Sequence, residues 1–274
     1  MKYGKKKYFL GTTLVIIGYY LSGIFIVQAD ETKPVSDSTI VQVSTIPAVL
    51  SGIYDGEMTF NQLKKFGNFG FGTFNGLDGE MIALDGQFYQ AQADGSVHLV
   101  TDSMKTPFAT VHFFQTDKEI ILTKSIASYE QLQNQLDQYL PSRNRPYGLK
   151  ITGTFDYLQA RSVPKQSKPY PLLVEVVAHE PVFEWKQITG TLVGYWFPEY
   201  MDKLNVTGYH LHFISADKHR AGHLLDCRLS SATIALDEIN NVNLLIPQNA
   251  EFQQAHFIYD KADVAKVVKG SKYQ

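Results

Sequence analysis

The sequence predicts a strand-rich, mixed α/β (α+β) protein with few helices, laid out in two β-rich halves. Asp-Gly pairs at 78–79, 85–86 and 94–95 separate short apolar runs, and Asp-Gly is a strong hairpin-turn signal. Only "SYEQLQNQLDQYLPS", residues 128–142, shows sustained helical spacing, with Tyr129, Leu132, Leu136 and Tyr139 on one face. Ser128 caps its start and Pro141 follows its end. After it come the runs "YGLKITGTFDYLQARSV", "PLLVEVVAHE", "FEWKQITGTLVGYWF", "TGYHLHFIS", "GHLLDCRL", "SATIALDEI" and "VNLLIPQ", all read as strand-rich. With 274 residues and 44% hydrophobic content, the chain suits one large domain or two small ones.

The first segment, 1–29, stands apart from the fold. It opens with Lys2, Lys5, Lys6 and Lys7, continues with an uncharged apolar run from Tyr8 to Val27, and ends in "VQA". This is the layout of a secretory signal peptide cleaved after Ala29. The apolar run also reaches the roughly 20 residues that span a bilayer, so an uncleaved N-terminal anchor is the alternative. Either way the protein is expected to be exported, extracellular or at the cell surface, touching membrane only through that segment. Removing the leader takes four lysines and no acid, leaving 21 basic and 27 acidic side chains, a net charge of −6. No basic patch remains, which argues against nucleic acid as a partner. Cys227 is the single cysteine, so no intrachain disulfide forms, and it is expected as a small buried hydrophobe.

Residues 30–38 read as a linker. A strand is expected at 39–46, then a segment started by Pro47 and ended by Gly56. A short helix over 59–67 follows, capped by Thr59 and stopped by Gly67. From Phe69 a β-meander begins, extended by strands at 108–114 and 119–123. His112 sits in an apolar strand and is expected as a packed sheet histidine. The boundary is drawn between an N-terminal mixed half, 39–142, and a C-terminal β-rich half, 143–274. A short echo, "FGFGTFNGLDGE", "ITGTFDYLQAR" and "ITGTLVGYWFP", hints that the halves are related.

Chemistry concentrates in "GYHLHFISADKHRAGHLLDC", residues 208–227. Alternate residues of a strand share a face and lie about 6.5–7 Å apart. His210 and His212 therefore point the same way and can converge on one ion, at about 2.0–2.1 Å from each nitrogen. "SADKHRAG" reads as a hairpin loop that returns His223 alongside them. Three histidines leave a tetrahedral ion an open position, the pattern of a catalytic zinc rather than a structural one. His-x-His also occurs in strands without metal, and the third histidine in register is what favours the metal reading. His219 is expected at the exposed loop tip, and His179 and His256 lack such company. A metal site needs a proton carrier and a cation for an anionic substrate. Glu80, at the end of "GTFNGLDGE", Thr73 in the same hairpin, and Arg161, on an otherwise apolar strand, are the candidates, with surface hairpin positions as the competing reading.

The blocks "FGFGTFNGLDGEMIALDGQFYQ", "TPFATVHFF", "GTFDYLQARSVPKQSKPYPLL" and "GTLVGYWFPEYMDKLNVTGYHLHFISADKHRAGHLLDC" resemble bacterial alpha-acetolactate decarboxylase, in order, from about residue 40 to 250. The resemblance implies two β-sheet domains, a homodimer and one Zn2+ per subunit held by His210, His212 and His223. It also implies Glu80, Arg161 and Thr73 as active-site residues. The implied reaction converts a small 2-hydroxy-3-oxo acid, 2-acetolactate, to acetoin and CO2, with the metal stabilising an enediolate. One departure stands out. The family brings a second glutamate from its C-terminal tail, whereas "FIYDKADVAKVVKGSKYQ" contains none. The expected register falls near Val268–Lys269, and Asp263, Asp260 and Glu251 do not match it. Two other readings stay open: another three-histidine metalloenzyme of cupin type, although the carboxylate such sites add after His-x-His is offered here only by Asp217 in a turn, and an exported relative that kept the fold without catalysis.

Overall fold

The computed structural model describes residues 38–269. The leader and all of the linker except Ser38 lie outside the described residues. In chain order the elements are β1 (Thr39–Val43), α1 (Ile46–Leu50), β2 (Met58–Thr59), α2 (Phe60–Leu63), β3 (Phe69–Thr73), β4 (Glu80–Leu84), β5 (Gln87–Ala91), β6 (Val97–Leu99), β7 (Lys105–Thr106), β8 (Ala109–His112), β9 (Lys118–Leu122) and α3 (Tyr129–Asp137). They continue with β10 (Tyr147–Arg161), α4 (Leu173–Val177), β11 (Val182–Phe197), β12 (Gly208–Ser215), β13 (Ala221–Glu238), β14 (Asn241–Leu245), α5 (Ala250–Gln254) and α6 (Lys261–Lys269). The strand-rich α+β expectation holds.

Two sheets form the body. The first runs β14-β1-β8-β3-β4-β5-β6, antiparallel except for the β1–β14 pair. Its centre is the expected meander, and Asp85 and Gly86, both at positive φ, make the β4–β5 turn. In the second, β10 pairs with β11 on one edge and β13 on the other, β11 pairs with β12, and the start of β13 pairs with the end of β12. Those four strands close into a ring. Register shifts between Gly153 and Tyr157 and between Gln159 and Ala160 supply the bends that closure requires. Strand β9 adds to the free edge of β13 beyond β12. Both sheets draw strands from either side of residue 142: β9 joins the second sheet and β14 the first.

Period-two alternation sorts the core into layers. Leu211 and Phe213 of β12 join Leu149, Phe155, Leu192 and Leu224 in one cluster of the ring. The other face of the ring, including Val193, Tyr195 and Ile214, packs with Phe69, Phe71 and Ile82 of the first sheet. The far face of that sheet, with Met81, Ala83 and Phe88, is covered by Phe60 and Leu63 of α2. Cys227 is buried as expected, and burial pushes its thiol pKa up.

Local signals were met with shorter elements. Helix α3 starts at Ser128, whose hydroxyl accepts from Gln131 N–H at 3.2 Å, and buries Leu132 and Leu136. Thr59 caps α2 in a reciprocal box with Gln62, although the helix ends at Leu63, before Gly67. Helix α1 stops at Leu50, well before Gly56, because Ile53 N–H turns back onto Ala48 C=O at 3.0 Å. The run "PLLVEVVAHE" was expected as strand but forms α4. Its Leu173, Val176 and Val177 are buried at helical spacing, and this amphipathic fit overrides the β-branched bias. The Gly-Thr echo has a different meaning from related halves. "ITGTF" of β10 lies antiparallel to "ITGTL" of β11, with Gly153 opposite Gly190.

His112 is a packed, fully buried residue that ties the layers together. Its Nδ1 lies 2.8 Å from Tyr195 Oη and its Nε2 3.1 Å from Asp237 Oδ2, while Gln115 N–H donates to the same oxygen at 2.6 Å. Breaking such a buried pair from one side leaves a stranded polar group, at a cost of about 3–5 kcal/mol. Asp237→Ala is expected to lose about that much in urea unfolding; a loss below about 1 kcal/mol would show that this contact does not hold the layers.

Candidate metal centre

The site lies where the outer face of the ring meets the first sheet. His210 and His212 share the face of Ile214 on β12, as the period-two spacing requires. His212 is paired with His223 on β13, and His223 with Arg161 at the end of β10. From the first sheet, Thr73 on β3 pairs with Glu80 on β4. Phe71 packs its ring against His210 and His212, with centroids 4.1 and 5.2 Å away. Two glycines permit this closeness. A Cβ on Gly194 would lie 2.0 Å from His210 C=O, and one on Gly79, at φ +90°, would lie 2.3 Å from Ala91 C=O. The Thr73 hydroxyl donates to Gly79 C=O at 2.7 Å, so it locks the turn that aims Glu80.

The three histidines offer ring nitrogens all within 4.8 Å of one another. His212 and His223 are 1% and 3% exposed. Burial holds all three imidazoles neutral: His212 falls to about 3, and His210 and His223 lie well below their ordinary range. The positive charge of Arg161 pushes the same way. Neutral imidazole is the ligand form. His212 Nδ1–H donates to Met81 C=O at 3.1 Å, which turns Nε2 toward the others, the outer bond that orients a metal histidine. His210 Nε2 lies 3.2 Å from His223 Nδ1, so these two nitrogens face one another where an ion would sit, with the His223 Nε2–H held outward by Val268 C=O. These features fit a divalent ion.

Around the histidines a cavity of about 70 Å3 is lined by Thr73, Glu80 and Arg161 and walled by apolar residues such as Ile46, Val49, Leu77, Phe108 and Val163. Glu80 Oε2 lies 3.7 Å from His212 Nε2. Burial raises the Glu80 carboxyl to about 8, with Arg161 opposing and the negative charge of Glu180 adding to the rise. Arg161 is 2% exposed. Its Nη1 donates to Glu180 and its Nη2 to Val267 C=O.

All six residues expected from the sequence therefore meet in one place. Asp217 does not join them; it is exposed in the hairpin turn, accepting from Ser215 Oγ at 2.5 Å. His219, His179 and His256 are exposed. The tail does reach the site, but with backbone. Val267 and Val268 lie in the last turn of α6, where carbonyls lack helical partners, and Val268 C=O accepts from His223 Nε2–H at 3.1 Å. Glu251, Asp260 and Asp263 stay outside the cavity. Glu180 was missed. It follows α4 in "AHEP", a polar stretch that reads as surface, and only the pairing of Arg161 with Val182 brings it inward.

The family model for alpha-acetolactate decarboxylase matches residues 40–258. The chain belongs to the alpha-acetolactate decarboxylase family. The alpha-acetolactate decarboxylase of Methanosarcina mazei is 43% identical over 235 residues, 85% of this chain and 81% of its own length. That of Bacillus subtilis is 37% identical, over 88% of this chain and 93% of its own. The crystal structure of alpha-acetolactate decarboxylase from Bacillus subtilis strain 168 aligns with a TM-score of 0.82, covering 85% of this chain and 100% of that one. The decarboxylase family match makes this chain a carboxy-lyase by kinship, and it stops short of α6.

If the triad holds the ion, His210→Ala will reduce stoichiometric bound divalent metal to near zero in dialysed, folded protein. Elemental analysis tests this, and undiminished metal would move the site elsewhere.

Proposed function

We propose that the protein catalyses zinc-dependent decarboxylation of 2-acetolactate to acetoin and CO2 in this cavity. The observation that carries the reading is the convergence of three buried histidines, a buried arginine and a buried carboxyl on one cavity. In 2-acetolactate the ketone stands next to the carbon bearing the carboxylate and hydroxyl. Breaking the bond to CO2 leaves its electron pair delocalised onto the ketone oxygen, as an enediolate. Zinc held by His210, His212 and His223 would supply a Lewis acid for that charge. Three nitrogen ligands suit it.

Arg161 cannot lose its charge and binds the substrate carboxylate. Glu80 carries a proton at neutral pH because burial raises its pKa to about 8. It delivers that proton to the carbon that CO2 leaves, giving acetoin, and is recharged from solvent. Thr73 keeps the Gly79 turn closed and so fixes the angle of delivery. The apolar walls exclude water and suit an uncharged leaving molecule.

Glu80→Gln is expected to keep zinc and lower turnover by about 10²–10⁴-fold; wild-type turnover would remove Glu80 from the reaction. Because the acid form is the active one, turnover is full below the Glu80 pKa and falls as pH rises through it. A rate that climbs across that interval would assign Glu80 the opposite role.

The first experiment uses the chain starting at Asp30, racemic 2-acetolactate, and a zinc chelator. Acetoin formation that the chelator stops supports the reading. Folded, zinc-loaded protein that makes no acetoin would support the non-catalytic relative instead, which the glutamate-free tail favours. The leader supports export, and the family resemblance supports a homodimer. Fractionated cells and the mass of the purified protein test these two points.

A further inference from the structure

We infer that Glu180 is a positioning residue, which pins Arg161 so that one edge of its guanidinium faces the cavity as a fork for the substrate carboxylate. This rests on the reading of Arg161 as the carboxylate site. Both side chains of the pair are 3% exposed. Arg161 Nη1 donates to Glu180, Nη2 donates to Val267 C=O, and Nε is buried with no partner. Arg161 and Val267 line the cavity, whereas Glu180 is not part of the lining. Glu180 therefore grips the guanidinium away from the cavity wall and leaves the Nε–Nη2 edge toward the space.

A guanidinium presents its N–H groups in a rigid plane, and two adjacent ones match the two oxygens of a carboxylate. At Nη2 an oxygen acceptor already sits, the Val267 carbonyl. At Nε the donor is unused. A substrate carboxylate approaching side-on satisfies both once the tail carbonyl gives way. The grip is built into the sheet. Arg161 is paired with Val182, and Ser162 N–H donates to Pro181 C=O at 3.4 Å, so the Glu180 loop is tied to the strand end that carries the arginine.

Glu180 as a mere counter-charge predicts the opposite outcome. Loss of its negative charge alone would strengthen the pull of Arg161 on a carboxylate. Loss of the grip lets the fork rotate and weakens binding. The sign of the change separates the two.

The test uses the zinc-loaded protein, 2-acetolactate turnover, and calorimetric binding of 2-hydroxy-2-methylbutanoate, an acid with no ketone to drive CO2 loss. In Glu180→Ala we expect KM and the dissociation constant of this acid to rise together by about tenfold or more. Turnover at saturation and inhibition by acetoin, which has no carboxylate, should change little. Glu180→Gln keeps an acceptor for Nη1 and should restore tight binding. Binding in Glu180→Ala that is unchanged or tighter overturns the inference, as does a Gln variant as weak as the Ala variant. If Glu180→Ala does not fold, Glu180→Asp decides: it withdraws the carboxylate by one methylene, weaker acid binding supports the grip, and wild-type binding overturns it. The calorimetric arm does not depend on turnover. A wild-type protein that makes no acetoin would sink the decarboxylase reading while the binding result still judges Glu180.

Discussion

The hydrogen-bond register across β12, β13 and β10 sets His212, His223 and Arg161 side by side, and the rest of the site is arranged around that row. A slip of one residue in any of the three strands would turn its functional side chain to the opposite face, among Leu211, Phe213 and Leu224. The ring prevents such a slip. Strand β10 is paired along nearly its whole length on both edges, so no strand end is left to slide. The bulges near Phe155 and Gln159 fix the phase at which Arg161 emerges.

Electrostatics follows from how dry this layer is. Three imidazoles, one guanidinium and two carboxyls share a region closed by Phe71 and aliphatic walls. Burial disfavours every charge there. The arginine cannot neutralise itself, so it keeps a partner, Glu180, and that partner is raised only to about 7 against its own desolvation. Glu80, farther from compensation, is raised to about 8. The histidines, buried and beside a fixed positive charge, become neutral. Burial thus raises the Glu80 carboxyl against the pull of the buried cation and keeps the three imidazoles neutral, while Glu180 stays paired with the arginine.

The C-terminal helix meets the site through its backbone. Helix α6 packs against α4 and delivers the unpaired carbonyls of its last turn to Arg161 and His223. A helix C-terminus carries partial negative charge, so it complements the arginine without a side-chain carboxylate. Where the resemblance implied a glutamate from the tail, this chain presents Val267 and Val268.

Sequence by itself determined whatever depends on local periodicity. His-x-His shares a face in any extended strand, Asp-Gly closes a hairpin in any meander, and Ser128 caps a helix regardless of what lies across from it. The blocks around Thr73, Glu80, Arg161 and the histidine hairpin carried the family and its candidate site. Tertiary structure decided what depends on contacts between distant segments. Helix α4 formed from a run that reads as strand because its apolar residues find a wall at helical spacing. His112 met Asp237 across 125 positions. Glu180, in a polar stretch with every mark of a surface loop, became the partner of Arg161 because β11 pairs back onto β10. Such outcomes are invisible to local pattern, since burial and charge compensation are properties of the packed neighbourhood and exist only after the strands have closed.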